Sequence, residues 1–204
     1  REFLEIAKEK GTPRIVLDKE GMISPYYYEV HSQQIRERYP FMSDHLLVWS
    51  DRQKKFWMKS GVAQRDIEVL GQPRSDFFFN EDRWLSKKDL GLEEKRKTIL
   101  FFTFDIDAYI HIFPAEEIQS RSLSWLPLRN DINDVLIKFA KSHDNVDVVI
   151  KVHPQQSDIG HIRKIFSETG LTNVKMMEGA NLSNHLIVNS DLIIGFQTTA
   201  IVEA

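Results

Sequence analysis

Three short stretches carry residues whose chemistry suits the binding or transfer of a phosphorylated group. The first is His153-Pro154, which ends a run of β-branched residues. The second is Thr198-Thr199, two adjacent hydroxyls that follow Gly195 closely. The third is the acidic turn from Asp18 to Gly21. An imidazole and hydroxyls can hydrogen-bond a phosphate, and a carboxylate can remove a proton from a hydroxyl that attacks it.

His153 follows a segment, Val148 to Val152, that is aliphatic apart from one lysine. Such a run is typical of a strand buried on both faces of a parallel sheet. Pro154 cannot donate to the ladder and keeps the preceding residue out of the α region, so the strand is predicted to end at His153. The imidazole would then lie at the carboxyl edge of the sheet, where open α/β folds bind ligands. On this run alone, His153 could equally well bind a ligand such as phosphate or merely cap the end of the strand.

The pair Thr198-Thr199 lies between a predicted strand and a predicted helix. Gly195 lets a ligand approach the backbone closely, and hydroxyls beside the free N–H groups of a helix start can bind an anion. Either threonine could instead act only as an N-cap. Glu203 lies one turn further on, where it could accept hydrogen bonds from ribose hydroxyls or interact with the helix dipole.

The acidic turn follows the short apolar run 13–17. Asp18 and Glu20 could place a general base in a cleft, with Gly21 permitting the sharp turn that this needs. Solvated acids in an ordinary turn are the alternative interpretation.

Two other segments offer polar groups after predicted strands. Arg74 could contact an anionic group or could pair with Asp76. Thr103 is a further candidate for substrate contact at the end of its strand. Asp105 and Asp107 follow it, but two acids at this spacing fit a metal-free loop better than a metal site.

The elements that must position these residues alternate between β and α patterns. Strands are predicted at 13–17, 45–49, 67–70, 98–104, 148–153, 174–177 and 192–195. Helices are predicted at 1–10, 33–38, 52–60, 130–142, 159–169 and 182–189, the fourth capped by Asn130 or Asp131. Because the strand runs are aliphatic and do not alternate with polar residues, they predict parallel sheets.

The predicted fold class is therefore α/β, with two Rossmann-like lobes that are both incomplete in this chain. Residues 1–76 are predicted to form one lobe, and residues 98–204 are predicted to form the other. The strongly charged stretch 77–97 is predicted to connect them.

Composition excludes several classes of function. The net charge of −3 gives no basic field for nucleic acid, and the absence of cysteine excludes disulfides and thiolate chemistry. No apolar run approaches the roughly 20 residues that span a bilayer. The sequence contains neither a P-loop nor the GxGxxG of dinucleotide-binding folds.

The order of the motifs resembles that of a known group of enzymes. Lys19-Glu20-Gly21, then His153-Pro154, then Thr198-Thr199 is similar to the pattern of bacterial GT-B glycosyltransferases and related transferases that use cytidine-nucleotide donors. These include sialyltransferases, Kdo transferases and CDP-glycerol glycerophosphotransferases. Segments 46–76 and 191–204 resemble the surface-carbohydrate-biosynthesis proteins of this group. Lys19 departs from the group, which has an acid at this position.

The resemblance implies a role for each matching residue. Glu20 would be the catalytic acid/base, and His153 would bind and protonate the donor phosphate. Thr198 and Thr199 would hold that phosphate, and Glu203 would contact the ribose. The implied nucleotide and phosphate site consists of His153, Pro154, Gly195, Thr198, Thr199 and Glu203.

The resemblance also implies that residues 1–76 are the C-terminal part of an acceptor-side lobe and that residues 98–204 form a nucleotide-donor-binding lobe. It implies a function as well. We expect a metal-independent glycosyltransferase that moves a sugar, or a polyol phosphate, from a CMP- or CDP-linked donor to a glycan or lipid-linked glycan of capsule or lipopolysaccharide. The donor is a co-substrate, no cofactor is needed, and the expected location is the cytoplasm or the inner face of the membrane. The alternatives are a non-catalytic nucleotide-sugar-binding module, which Lys19 favours, and an enzyme like the UDP-sugar 2-epimerases.

Overall fold

The structure is a computed structural model that describes residues 2–18, 28–107, 124–153, 156–196, 198 and 200–203. For Ala180, Val202 and Glu203 it describes the backbone alone. The chain divides into two compact units, Arg1–Asp76 and Phe77–Ala204.

Three parallel strands form the sheet of the first unit, in the order β1-β2-β3. The strands are β1 (Ile15–Leu17), β2 (His45–Val48) and β3 (Ile67–Val69), and the helices are α1 (Glu2–Glu9), α2 (Tyr28–Arg38) and α3 (Asp51–Lys59). α3 follows Ser50, whose hydroxyl accepts a hydrogen bond from the main-chain N–H of Gln53 and caps the helix. The strand, helix and strand predicted at 45–49, 52–60 and 67–70 form a β-α-β unit, because β2 and β3 are parallel neighbours. A small apolar cluster forms the core: Leu46, Val48, Val62 and Ile67.

Four parallel strands form the sheet of the second unit, in the order β6-β5-β4-β7. The strands are β4 (Lys97–Phe102), β5 (Val146–Lys151), β6 (Val174–Met177) and β7 (Leu192–Gly195). The helices are α4 (Leu126–Ser142), α5 (Ile159–Ser167), α6 (Ser183–Val188) and α7 (Ala200–Glu203). Short 3₁₀ helices lie at Gln64–Asp66, Pro73–Phe79, Glu81–Arg83 and Ala180–Leu182. The α/β class with parallel sheets is confirmed.

The second sheet is covered on both faces, as its aliphatic strands predict. All six residues of β5 are buried. On one face α4 and α5 supply apolar side chains, among them Leu136, Ala140, Ile162 and Phe166. On the other face the covering residues include Leu90, Leu92, Leu186 and Ile187. Residues 77–97, predicted as a connection between lobes, belong to the second unit, because Leu90 and Leu92 are buried in its core.

Several predicted boundaries are wrong. α4 begins at Leu126 and not at Asn130 or Asp131, because Pro127 sits in the first turn, where its missing N–H costs nothing. β5 ends at Lys151 instead of His153. Although the N–H of Val152 still donates to the carbonyl of Met177 at 3.0 Å, the chain leaves the ladder at the next residue. For α2 only the C-terminal part, 33–38, was predicted as a helix end; the helix does end at Arg38, and it begins at Tyr28.

Within the ranges described above, none of the helices has both the length and the apolar character to cross a membrane.

Candidate active site

The carboxyl ends of three strands meet at one edge of the second sheet. Phe102 of β4 pairs with Lys151 of β5 on one side and with Gly195 of β7 on the other. The segments that carry Thr103, His153 and Thr198 therefore all leave the sheet at this edge. The chain runs from β4 to β5 and β6, and then returns to place β7 on the opposite side of β4. Such a reversal of strand order opens a crevice at the carboxyl edge, which is where α/β folds bind ligands.

Thr103 and His153 are in direct contact at this edge. The main-chain N–H of His153 donates to Thr103 Oγ1 at 3.1 Å, and the side chain of His153 is exposed. Thr103 is 4% exposed, and its hydroxyl also hydrogen-bonds Oε1 of Gln156. Thr103 was predicted to contact substrate. That contact stays a prediction, and the structure shows that the Thr103 hydroxyl holds the main chain that carries the imidazole of His153.

Gln156 extends this contact toward two helices. Its Nε2 donates to the carbonyl of Phe104 at 3.3 Å and to Asp158 Oδ1 at 3.1 Å. Asp158 precedes α5 and forms an ion pair of 2.7 Å with Nη2 of Arg129, which lies in the first turn of α4. Arg129 is 1% exposed. A continuous chain of polar contacts thus runs from a buried guanidinium to the main chain of His153.

Asp158 stays ionised in this chain of polar contacts, because its neighbours lower its pKa. Burial acts to raise the pKa of Asp158, but the hydrogen bonds from Arg129 and Gln156 and the positive charge of Arg129 outweigh it and lower the pKa. Asp158 is therefore an anion at neutral pH, and it can only accept hydrogen bonds.

Gly195 allows the next segment to pack tightly over the end of β7. A Cβ on Gly195 would lie 2.6 Å from Cγ2 of Thr198 and 2.9 Å from Cδ1 of Ile201, closer than real Cβ contacts. The hydroxyl oxygen of Thr198 accepts from the N–H of Ala200 at 3.3 Å. The Thr198 hydroxyl therefore binds the first main-chain N–H of α7, and a hydroxyl that accepts one hydrogen bond can also donate its own proton. Capping and ligand binding are compatible roles for this side chain.

Aromatic side chains pack against one another at the same edge of the sheet. The ring of Phe196 lies 4.7 Å from that of Phe104 and 4.9 Å from that of Trp125, between ring centroids. Since Phe196 directly follows Gly195, these contacts hold the backbone that leads to Thr198.

Asp18 lies at the carboxyl end of β1, in the first unit. Its main-chain N–H donates to the carbonyl of Leu47 at 2.9 Å, which continues the ladder beyond β1. Its carboxylate accepts from Nε1 of Trp57 at 2.8 Å and from Nε2 of Gln53 at 3.3 Å. The carboxylate is thus anchored by two donors of α3. Arg74 lies exposed in the 3₁₀ helix Pro73–Phe79.

The remaining predicted site residues lie outside what the structure describes. These are Glu20, Pro154 and Thr199, together with the side chain of Glu203. The described part of the predicted site therefore brings Thr103, His153, Gly195 and Thr198 to one edge, whereas Asp18 and Arg74 belong to the first unit.

Residues 11–195 match the sequence model of a family described as CDP-Glycerol:Poly(glycerophosphate) glycerophosphotransferase. The chain belongs to this family. Of the groups that the motif order resembles, the match confirms the glycerophosphotransferases. Membership of the sialyl or Kdo transferases stays a prediction. No curated protein matches this member of the glycerophosphotransferase family.

Solved structures show the same fold in other proteins. UDP-N-acetylglucosamine 2-epimerase from Rickettsia bellii aligns with a TM-score of 0.53 at 13% identity, over 97% of this chain and 48% of the epimerase. UDP-GlcNAc 2-epimerase from Neisseria meningitidis, solved with UDP-GlcNAc bound, aligns with a TM-score of 0.56 at 15% identity, over 97% of this chain and 51% of the epimerase. The chain spans about half the length of these proteins. At such identities the likeness concerns the fold.

Three residues that support the site of this glycerophosphotransferase family member are not among those predicted from the sequence: Arg129, Gln156 and Asp158. Arg129 lies just before the helix predicted at 130–142, so that it was not assigned to any element. Two signals could have placed it correctly. Pro127 favours a helix start, and Arg129 lies four residues before Asn133, on the face of α4 that also buries Leu136.

Proposed function

We propose that this protein is a nucleotide-dependent transferase that moves a polyol phosphate, or a sugar, from a CMP- or CDP-linked donor to a bacterial surface polysaccharide. The observation that carries this proposal is the position of His153 and Thr198 at the carboxyl edge of the second sheet, in a chain of the glycerophosphotransferase family. The family description favours glycerol phosphate as the transferred group.

The proposed reaction needs two kinds of chemical assistance. An acceptor hydroxyl oxygen forms a bond to the phosphorus of the glycerophosphoryl group, the bond from that phosphorus to the oxygen of CMP breaks, and CMP leaves. The proton of the hydroxyl passes to a base, for which Glu20 is the candidate. The oxygen that leaves gains negative charge. Hydrogen bonds from the imidazole of His153 and the hydroxyl of Thr198 would stabilise that charge, with Thr199 and Pro154 completing the phosphate site.

The donor, the acceptor and the independence from metal belong to the same proposal. The acceptor is a glycan or a lipid-linked glycan, and the reaction takes place in the cytoplasm or at the inner face of the membrane. The charge stabilisation described above is assigned to protein donors, so turnover is expected to survive EDTA. The epimerase alternative rests on a fold shared at 15% identity or less.

A calorimetric titration of the protein with CMP, CDP and UDP tests the nucleotide site. We expect CMP or CDP to bind more tightly than UDP. If none of the three binds, the assignment of a phosphate site to this edge is wrong.

Release of CMP from CDP-glycerol tests the chemistry. We expect His153→Ala to lower kcat by about 10²-fold, the usual effect of removing one hydrogen-bond donor to a developing charge. His143→Ala is the matched control, because His143 directly follows the C-terminus of α4 and stacks on Phe139. Glu20→Ala distinguishes an enzyme from a binding module. Retained nucleotide binding with lost turnover supports the enzyme, whereas unchanged turnover would remove Glu20 from the mechanism.

A further inference from the structure

A buried chain of polar groups ends at the main chain of His153. Its members Arg129, Thr103 and Gln156 are 1%, 4% and 7% exposed. Polar groups at such depth cost free energy unless they are paired. This chain of polar contacts starts at Arg129 in the first turn of α4 and continues to Asp158, which precedes α5. It then runs through Gln156 to Thr103 at the end of β4, and from there to the main chain of His153 after β5.

Arg129 is poorly suited to be a stabilising residue. Among the residues that the structure describes, its Nη2 pairs with Asp158, whereas Nε and Nη1 have no hydrogen-bond partner. A buried ion pair that leaves donors unsatisfied usually adds less stability than apolar side chains of the same volume. The specific consequence of Arg129 is that it holds the Asp158 carboxylate in place.

The carboxylate of Asp158 fixes the direction of every hydrogen bond that follows. It can only accept, as can the carbonyl of Phe104, so the amide of Gln156 must present its Nε2 to both. Oε1 of Gln156 then faces Thr103, and the Thr103 hydroxyl must donate its proton there. A lone pair of that hydroxyl is left to accept from the N–H of His153.

Gln156 also holds His153 from the other side. The main-chain N–H of Gln156 donates to the carbonyl of His153 at 3.0 Å. Both main-chain polar groups of His153 are therefore bound by members of the chain, one by Thr103 and one by Gln156.

We propose that Arg129 is a positioning residue for the transfer reaction, acting through Asp158, Gln156 and Thr103 on the main chain that carries the His153 imidazole. This inference rests on the proposed role of His153 at the donor phosphate. A group that must meet developing charge loses much of its effect when it is displaced by about 1 Å. Weakening the chain should therefore lower kcat more than it changes the KM for the donor.

Hydrogen exchange of the His153 amide tests the positioning directly, with no need for a substrate. We expect the amide to exchange slowly in the wild-type protein and at least tenfold faster in Thr103→Val, which keeps the shape of the side chain but removes the acceptor. Thr103→Ser should restore slow exchange. Arg129→Met and Gln156→Leu should also accelerate it. Arg163→Met is the matched control, because Arg163 forms an exposed ion pair with Glu178 in the same unit.

The kinetic test uses CMP release from CDP-glycerol. We expect Arg129→Met and Thr103→Val to lower kcat by about 10-fold to 10²-fold with less than a threefold change in KM, and Thr103→Ser to recover most of kcat. Wild-type exchange of the His153 amide in Arg129→Met, or faster exchange with wild-type kcat, would overturn the inference. Failure of the proposed function would look different, because wild-type protein would then bind neither CMP nor CDP.

Discussion

The indole N–H of Trp57 donates a hydrogen bond of 2.8 Å to a carboxylate oxygen of Asp18. The same oxygen accepts from Nε2 of Gln53, a side chain that is 1% exposed. Oε1 of Gln53 in turn accepts from the main-chain N–H of Trp49 at 2.5 Å. Asp18 thus ties the end of β1 to α3 and, through Gln53, to the end of β2.

Replacing Asp18 by Ala should destabilise the first unit. The indole N–H of Trp57 would lose its acceptor and Gln53 would lose one of its hydrogen bonds, and an unsatisfied buried donor costs about 1–3 kcal/mol. We expect a drop of that size in the free energy of unfolding, measured in urea. Asp66→Ala is the control, because Asp66 pairs with the exposed Arg65 and should change stability by less than about 0.5 kcal/mol. Unchanged unfolding together with lost activity would instead assign Asp18 to substrate contact.

The strands could be predicted from sequence because short β-branched runs bounded by turn residues rarely form any other secondary structure. β5 shows where this fails. It begins at Val146, two residues before the predicted start, and includes the fully buried Asp147. The carboxylate of Asp147 is satisfied by the main-chain N–H of Glu93 at 3.0 Å and by Arg96 at 3.3 Å. From sequence alone an aspartate such as Asp147 is taken to be exposed to solvent, because the partners that allow its burial lie about 50 positions away in the chain.

The same distinction applies to the candidate site. The meeting of Thr103, His153 and Thr198 at one edge follows from parallel strands, whose carboxyl ends share an edge of the sheet. The chain of polar contacts from Arg129 to His153 could not be predicted in this way, because its hydrogen bonds join residues that are as far apart in sequence as Thr103 and Gln156. Pair geometry of this kind depends on tertiary packing, which periodicity cannot supply.

Replacing Gly195 by Ala should disturb the Thr198 segment. The new methyl would need space now taken by Thr198 and Ile201, at 2.6 and 2.9 Å. Overpacking of this kind typically costs about 1–3 kcal/mol, and displacement of Thr198 should weaken nucleotide binding by about tenfold. Calorimetry with CDP and unfolding in urea measure the two effects.

Gly160→Ala is the matched control for this substitution. Gly160 lies in α5, and an added Cβ there would meet no atom within 4 Å. Alanine in a helix is favoured over glycine by about 0.5–1 kcal/mol, so this variant should be slightly more stable and bind CDP normally. If Gly195→Ala behaved like Gly160→Ala, tight packing after β7 would not be needed for binding.

Replacing Lys151 by Met should stabilise the protein at neutral pH. Lys151 is 1% exposed, and its Nζ donates to the carbonyl of Val152 at 2.9 Å. Burial lowers the pKa of Lys151 below its ordinary value of 10.5, against a weaker opposing effect of the Glu178 carboxylate. At pH 7 the ammonium is therefore held at a cost in the folded state. We expect Lys151→Met to raise the free energy of unfolding by about 1 kcal/mol.

The pH dependence of that gain identifies its cause. Because the pKa of Lys151 is lower in the folded than in the unfolded protein, the unfolded chain binds more protons between the two values. Wild-type stability should therefore rise with pH as 10.5 is approached, and the advantage of Lys151→Met should shrink there. Urea unfolding at pH 7, 8, 9 and 10 measures this, with Lys141→Met on the exposed surface of α4 as the control. A gain that stays constant over this range would mean that packing, and not the buried charge, separates the two side chains.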